Sequence, residues 1–182
     1  MHTSLDGFVA GPNGEMDWIK VDDLMFDFVG TFTEEADTAL YGRVTYEMME
    51  SYWPTAGEKP RASKHDVEHS QWYNKVNKIV ISRTLKSDET NKRSVISDNI
   101  PDEINKLKEQ QGKKILIFGS PRAVHTLMQH NLIDEYWLFV NPILLGQGIP
   151  LFANIQNQIP IKKLGAMEFA SGVTALNYAV EG

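Results

Sequence analysis

Three short segments place small or hydroxyl-bearing residues beside arginine or a helix-starting proline: Gly42-Arg43-Val44-Thr45, Ser82-Arg83-Thr84 and Phe118-Gly119-Ser120-Pro121-Arg122. Each falls where a strand-like run stops, the geometry that offers free backbone N–H groups to a phosphate. Glycine allows close approach, a guanidinium offers a planar fork of donors, and Thr45 adds a hydroxyl. Singly they have plainer readings: a helix start with a surface arginine, or the end of a buried strand. Phe118 to Arg122 is too short for a dinucleotide G-x-G-x-x-G fingerprint.

The elements that must position these residues alternate along the chain, which argues for helices packed on both faces of a largely parallel sheet. Apolar spacing predicts a helix over 22–36 on a stripe of Leu24, Phe28, Phe32 and Ala36, with Met25 and Val29 beside them. A short strand at 38–41, a helix at 44–52 and an irregular stretch from Trp53 to Lys64 follow, the last containing Pro54, Gly57 and Pro60. Further expectations are a helix at 65–76, strands at 78–82 and 93–96, a helix from Pro101 to Gly112, a strand at 114–118, an amphipathic helix on Ala123, Val124, Leu127 and Met128, and a strand at 136–140. The tail reads as an antiparallel hairpin around Ser171-Gly172. The total is about eight strands, with no repeat or linker, in a single domain spanning 1–182.

Composition narrows the function. With 42% apolar and 23% charged residues the chain has the balance of a globular protein. A net charge of −6 with scattered Lys and Arg lacks the footprint for nucleic acid. The apolar runs are strand-sized, far below the roughly 20 residues that span a bilayer. The absence of cysteine removes disulfides and thiolate chemistry and fits a reducing, cytoplasmic setting. His65 and His69, four apart, could face a metal together, but no third ligand is evident and a solvated surface helix explains them, so no metal is expected. His125 and His130 read as residues near a helix end.

In this order the segments resemble the dihydrofolate reductase superfamily, most closely the C-terminal reductase domain of the bifunctional riboflavin-biosynthesis deaminase/reductase. Ser4-Leu5-Asp6-Gly7-Phe8-Val9-Ala10-Gly11 with Met16-Asp17-Trp18 carries the opening signature, and Leu132-Ile133-Asp134-Glu135, Asn141-Pro142-Ile143-Leu144-Leu145-Gly146-Gln147-Gly148 and Leu151-Phe152 carry a second block. The resemblance implies a three-layer α/β/α fold with a central mixed, mostly parallel sheet. It implies an oxidoreductase that passes hydride from NADPH to a small heterocyclic or carbonyl substrate, akin to 5-amino-6-(5-phosphoribosylamino)uracil reductase. Gly42 to Thr45 and Gly119 to Arg122 would flank the pyrophosphate, with Arg43, Ser82 and Arg83 near the 2′-phosphate. Gly11 to Asp17 would fold over the nicotinamide, and Asp6, Phe8, Trp18 and Trp53 would lie by the substrate. The riboflavin reductases carry Lys where this chain has Phe8, which separates it from recognition of a phosphorylated ribose. A homodimer is also implied, for which Tyr136 to Val140 and Pro142 to Leu145 offer apolar surface. The alternative is a non-catalytic NADP(H)-binding protein of the same fold.

The proton that accompanies hydride transfer has a candidate donor in Asp23, where the resemblance puts a pocket carboxylate. Buried in an apolar cleft, a carboxyl would hold its proton to higher pH. Asp22 and Asp23 equally suit the start of a helix, where aspartate caps free N–H groups.

Overall fold

The computed structural model describes residues 1–181. The chain folds as two compact units, the first made of residues 1–25 with those from 121 onward, the second of residues 26–120.

The second unit is built on a four-stranded, wholly parallel sheet in the order β5-β4-β3-β6, from β3 (Ala36–Gly42), β4 (Asn77–Ile81), β5 (Arg93–Ile96) and β6 (Lys114–Ile117). Successive residues of the two central strands, Ala39, Leu40 and Tyr41 on β3 and Ile79 and Val80 on β4, are buried although they point to opposite faces, as in a sheet covered on both sides. Helices α2 (Arg43–Ala56) and α3 (Lys64–Lys75) pack on one another and α2 packs on β3 and β4, enclosing a core of Ala39, Tyr41, Tyr46, Tyr73, Val76 and Val80. A Cβ at Gly57 would lie 3.1 Å from Val67 Cα, so glycine sits where the chain beyond α2 meets α3. A capping box starts α3: Ser63 Oγ accepts from Asp66 N while Asp66 accepts from Ser63 N. Helix α4 (Ile100–Glu109), with Pro101 in its first turn, buries Ile104.

In the first unit, β1 (His2–Ser4), β7 (Glu135–Asn141), β10 (Thr174–Val180) and β9 (Ile161–Glu168) form a mixed sheet in the order β1-β7-β10-β9, parallel at the first pairing and antiparallel at the others. A separate pair joins β2 (Phe8–Ala10) to β8 (Ile149–Pro150). Helix α5 (Pro121–Gln129) buries Ala123, Val124, Leu127 and Met128, the expected stripe. Helix α1 (Asp23–Glu34) runs across the point in the chain where the units divide.

The described residues thus hold ten strands in three hydrogen-bonded groups rather than about eight in one sheet; β1, β2 and β8, only two or three residues each, are too short to show a period. Other departures have local causes. The stripe expected on α1 is displaced: Met25 is buried, Leu24 is 61% exposed, and Ala36 opens β3 instead of closing the helix. Helix α2 continues through Pro54 to Ala56, which is fully buried, because packing against α3 outweighs the hydrogen bond proline forgoes. Trp53, expected in a loop, is therefore a helix residue packed against the core. His65 and His69 do not lie on a solvated face. His69 is buried, 4.0 Å between ring centroids from Trp53 and 5.5 Å from Phe118, and burial lowers its pKa to about 3.

Candidate functional site

Strand register brings the three motifs together. Gly42 pairs with Ile81 and Leu40 with Ile117, so β4, β3 and β6 end side by side and their next residues, Ser82, Arg43 and Phe118, leave the same carboxyl edge. That edge is where open parallel sheets bind ligands.

The junction after β3 is the centre of the group. Gly42, with extended φ −80° and ψ 160°, precedes α2 without any side-chain cap, so the first-turn N–H groups of α2 carry no capping side chain. The N–H of Gly42 itself donates to Ser120 Oγ at 3.0 Å, tying the β3 junction to the one after β6. There the backbone takes left-handed φ at two successive residues, +65° at Gly119 and +63° at Ser120. For Ser120 this costs roughly 1–3 kcal/mol, the kind of stored strain that marks functional turns. Ser120 is also buried, its hydroxyl held by the bond to Gly42. A Cβ at Gly119 would come 3.5 Å from Thr45 Cγ2, placing Gly119 beside the first turn of α2.

The remaining motif residues separate into those that could meet a ligand and those that are spent. Nη1 of Arg43 donates to both carboxylate oxygens of Glu47, at 3.0 and 2.8 Å, on an exposed helix face where Val44 is also open. Ser82 is buried, and its Oγ accepts from Thr84 N at 3.2 Å and Leu85 N at 3.1 Å, so it shapes the turn; Arg83 and Thr84 are exposed. Phe118 packs edge-on against His69 and Trp72 as a wall of the core. Pro121 and Arg122 open α5, with Arg122 exposed.

Sequence reasoning missed the anchor under α2. Tyr46 Oη accepts from Arg93 Nη1 at 3.1 Å, and Tyr73 Oη donates to Glu50 at 2.8 Å, fastening α2 to β5 and α3. Tyr41 Oη, at the end of β3, is buried without a hydrogen-bond partner among the described residues, and burial raises its pKa. Tyr46 and Glu50 at a helical interval of four were the available signal.

The residues expected near substrate are divided between the units, Asp6, Phe8 and Trp18 in the first and Trp53 in the second. Asp6 is a clamp: it accepts from Ser4 Oγ at 2.6 Å, Gly146 N at 2.8 Å and Leu145 N at 3.1 Å, which hold its pKa down at about 2. A carboxylate with a lowered folded value contributes stability above its ordinary value and loses it as pH falls through the folded one. Asp6→Asn should thus lower the melting temperature at neutral pH, and the gap to wild type should close between the ordinary 3.8 and about 2. A gap unchanged across that range would remove the ionised clamp. Phe8 is half-buried in β2 opposite Pro150, and Trp18 Nε1 donates to Glu15 O at 3.0 Å.

The 11–17 segment, exposed beyond Gly11, is closed on itself. Gly11 N donates to Glu15 O, and Asn13 donates through N and Nδ2 to the two Glu15 carboxylate oxygens. Just beyond it, Lys20 N donates to Oδ1 of the fully buried Asn141 at 2.8 Å.

Asp23 is exposed at the first position of α1. The cap is Asp22, whose Oδ1 accepts from Met25 N at 2.9 Å and whose Oδ2 accepts from Ser171 N at 3.3 Å. Strand β7, which carries Tyr136 to Val140, lies between β1 and β10 in the mixed sheet, and β1 pairs with it only at Phe139 to Asn141. His125 Nε2, inside α5, lies 2.8 Å from Leu151 O.

The fold is dihydrofolate-reductase-like, and the chain belongs to the RibD C-terminal domain family, whose model matches residues 1–175. It is 36% identical over 182 residues to the uncharacterized protein YyaP of Bacillus subtilis (strain 168), covering 98% of this chain and 92% of that one. Among solved structures, a Shewanella sp. PV-4 protein assigned provisionally to riboflavin biosynthesis superposes with a TM-score of 0.76 at 22% identity, over 100% of this chain and 97% of the other. Dihydrofolate reductase from Enterococcus faecalis, complexed with NADP(H), superposes with a TM-score of 0.61 at 15% identity, over 100% and 94%. Both likenesses concern the fold. Among the described residues no helix is long and apolar enough to cross a membrane.

Proposed function

We propose that the protein is an NADPH-dependent reductase acting on a small heterocyclic or carbonyl compound. The observation that carries this reading is the convergence of three junctions at the carboxyl edge of β4-β3-β6, with an uncapped α2 and a strained Gly119-Ser120 turn joined by the Ser120–Gly42 hydrogen bond. These features fit a dinucleotide phosphate: free first-turn N–H groups, a glycine beside them, and exposed guanidinium groups nearby. The bound nucleotide supplies the hydride.

The chain's own residues do the rest. The first turn of α2 and the turn at Gly119 receive the pyrophosphate, and Arg43 and Arg83 receive the 2′-phosphate. Ser120 and Ser82 hold the two turns in shape, and Tyr46 with Arg93 keeps α2 in place. Water delivers the proton, because Asp22 is committed to its cap and Asp23 is exposed. Asp23→Asn should then leave turnover per folded molecule within about twofold of wild type; loss of most turnover with intact NADPH binding would return the donor role to Asp23.

Arg43 must exchange Glu47 for phosphate when the nucleotide binds. Arg43→Ala should narrow the preference for NADPH over NADH about tenfold, the worth of one charge-assisted hydrogen bond of about 1.5 kcal/mol. Glu47→Ala should leave that preference intact or widen it. Equal binding of the two nucleotides by the wild type at moderate salt would remove the 2′-phosphate role. The reading as a whole is tested by NADPH consumption over a panel of heterocyclic and carbonyl compounds. NADPH binding without consumption would instead support a non-catalytic nucleotide-binding protein.

A further inference from the structure

Away from the nucleotide edge, the first unit has a half-open apolar cavity of about 210 Å³. Its floor is one face of the mixed sheet. Tyr136 and Leu138 are two apart on β7 and so point the same way, and Tyr178 pairs directly with Tyr136 across β10. Its rim is Phe152, Ile155 and Ile161, which are 43%, 48% and 46% exposed. The run from Leu151 to Ile161 has no charged side chain, and Phe152, Ile155, Ile159 and Ile161 of it line the cavity.

We propose that this cavity is a second ligand site, for a small uncharged aromatic compound of about two fused rings bearing one hydroxyl or N–H group. Size, polarity and geometry each support that occupant. A closed apolar cavity of about 150 Å³ holds benzene, so the larger space here suits a second ring, which the open side admits. No charged residue lines the cavity, so an ionised ligand would lose hydration without compensation. Tyr136 supplies a polar anchor: burial pushes its pKa up to about 12, keeping the phenol protonated, and its hydroxyl bonds to no other described residue. The Tyr136 ring meets Phe152 edge-on at 5.8 Å, leaving an aromatic wall on which a flat ring can stack. The site is independent of the proposed reductase function, since none of its lining residues belongs to the three junctions.

The test uses 2-naphthol, naphthalene and naphthalene-2-sulfonate as probes on the full chain, with binding followed by ligand-observed NMR and the solution mass by light scattering. Expected is saturable binding of 2-naphthol in the submillimolar range, with the sulfonate at least tenfold weaker. Tyr136→Phe should weaken 2-naphthol severalfold and leave naphthalene unchanged. Ile155→Lys, an exposed rim change that preserves the core, should weaken both neutral probes at least tenfold with NADPH binding unaltered. Absence of 2-naphthol binding to the wild type, or equal binding to wild type and Ile155→Lys, overturns the proposal. So does a wild-type mass of twice 20.6 kDa that Ile155→Lys halves with neither form binding probe, because the apolar rim would then belong to a second copy of the chain.

Discussion

Gly119→Val should abolish NADPH binding, weakening it at least ~100-fold, while the protein stays folded. The reason lies in the backbone more than in crowding. A Cβ at Gly119 would meet Thr45 Cγ2 at 3.5 Å, an ordinary contact, so a methyl group finds space. The φ of +65°, however, is one an L-residue enters at a cost of roughly 1–2 kcal/mol, and a β-branched residue pays more. With Ser120 at +63° already strained, the turn should relax away from left-handed geometry, and the Ser120 Oγ to Gly42 N–H bond should break with it. Gly119→Ala, which adds the Cβ without branching, should lose about tenfold, matching a strain of ~1.4 kcal/mol. Titration of protein fluorescence by NADPH, with thermal melts to establish folding, checks both. A folded Gly119→Val protein with wild-type affinity would place the nucleotide elsewhere.

The second large effect is on stability. Asn141 is fully buried at the end of β7, and its side chain has four hydrogen-bonding partners: the two Nδ2 hydrogens are shared among Thr3 O at 3.2 Å, Phe139 O at 3.1 Å and His2 Nδ1 at 3.3 Å, and Oδ1 accepts from Lys20 N at 2.8 Å. Asn141→Leu keeps the volume and strands these partners, each at about 1–3 kcal/mol where water cannot replace the bond, so a loss of about 3 kcal/mol or more is expected in urea unfolding. Asn141→Asp keeps the acceptor for Lys20 N but loses the donors, and it adds a buried charge, so it should be no better. The Lys20 amide reports the local consequence: its hydrogen exchange should accelerate in Asn141→Leu beyond the change in global stability. A loss below about 1 kcal/mol would mean that Asn141 is not the fastener of this corner.

How far the sequence reveals this arrangement depends on the range of the interactions. The three junctions were legible because glycine, serine and proline at a strand's end have local reasons to be there, and the parallel order of the strands then carries them to one edge. The stripe on α5 was legible for the same reason: Ala123, Val124, Leu127 and Met128 recur at the helical period and are buried together. What failed depended on distant partners. The hydroxyl of Ser120 reaching Gly42, 78 positions earlier, has no local signature, nor does a left-handed serine. Proline misled at Pro54, where packing of Ala56 and Trp53 holds the helix together, and the four-residue spacing misled on α1, where Met25 displaced Leu24 from the interior. The bonds that hold Asp6 come from the backbone of Leu145 and Gly146, about 140 positions away, and no local pattern announces them. The Arg43–Glu47 pair, four residues apart on one helix, was within reach of sequence reasoning and shows that the arginine nominated for phosphate already has a partner to surrender.

The most direct test is a crystal structure of the protein with NADPH bound. Expected is the pyrophosphate against the first turn of α2 and the Gly119-Ser120 turn, with Arg43 turned from Glu47 toward the 2′-phosphate and Arg83 beside it. Nucleotide density at any other place in the chain, with the carboxyl edge of β4, β3 and β6 left open, would contradict it.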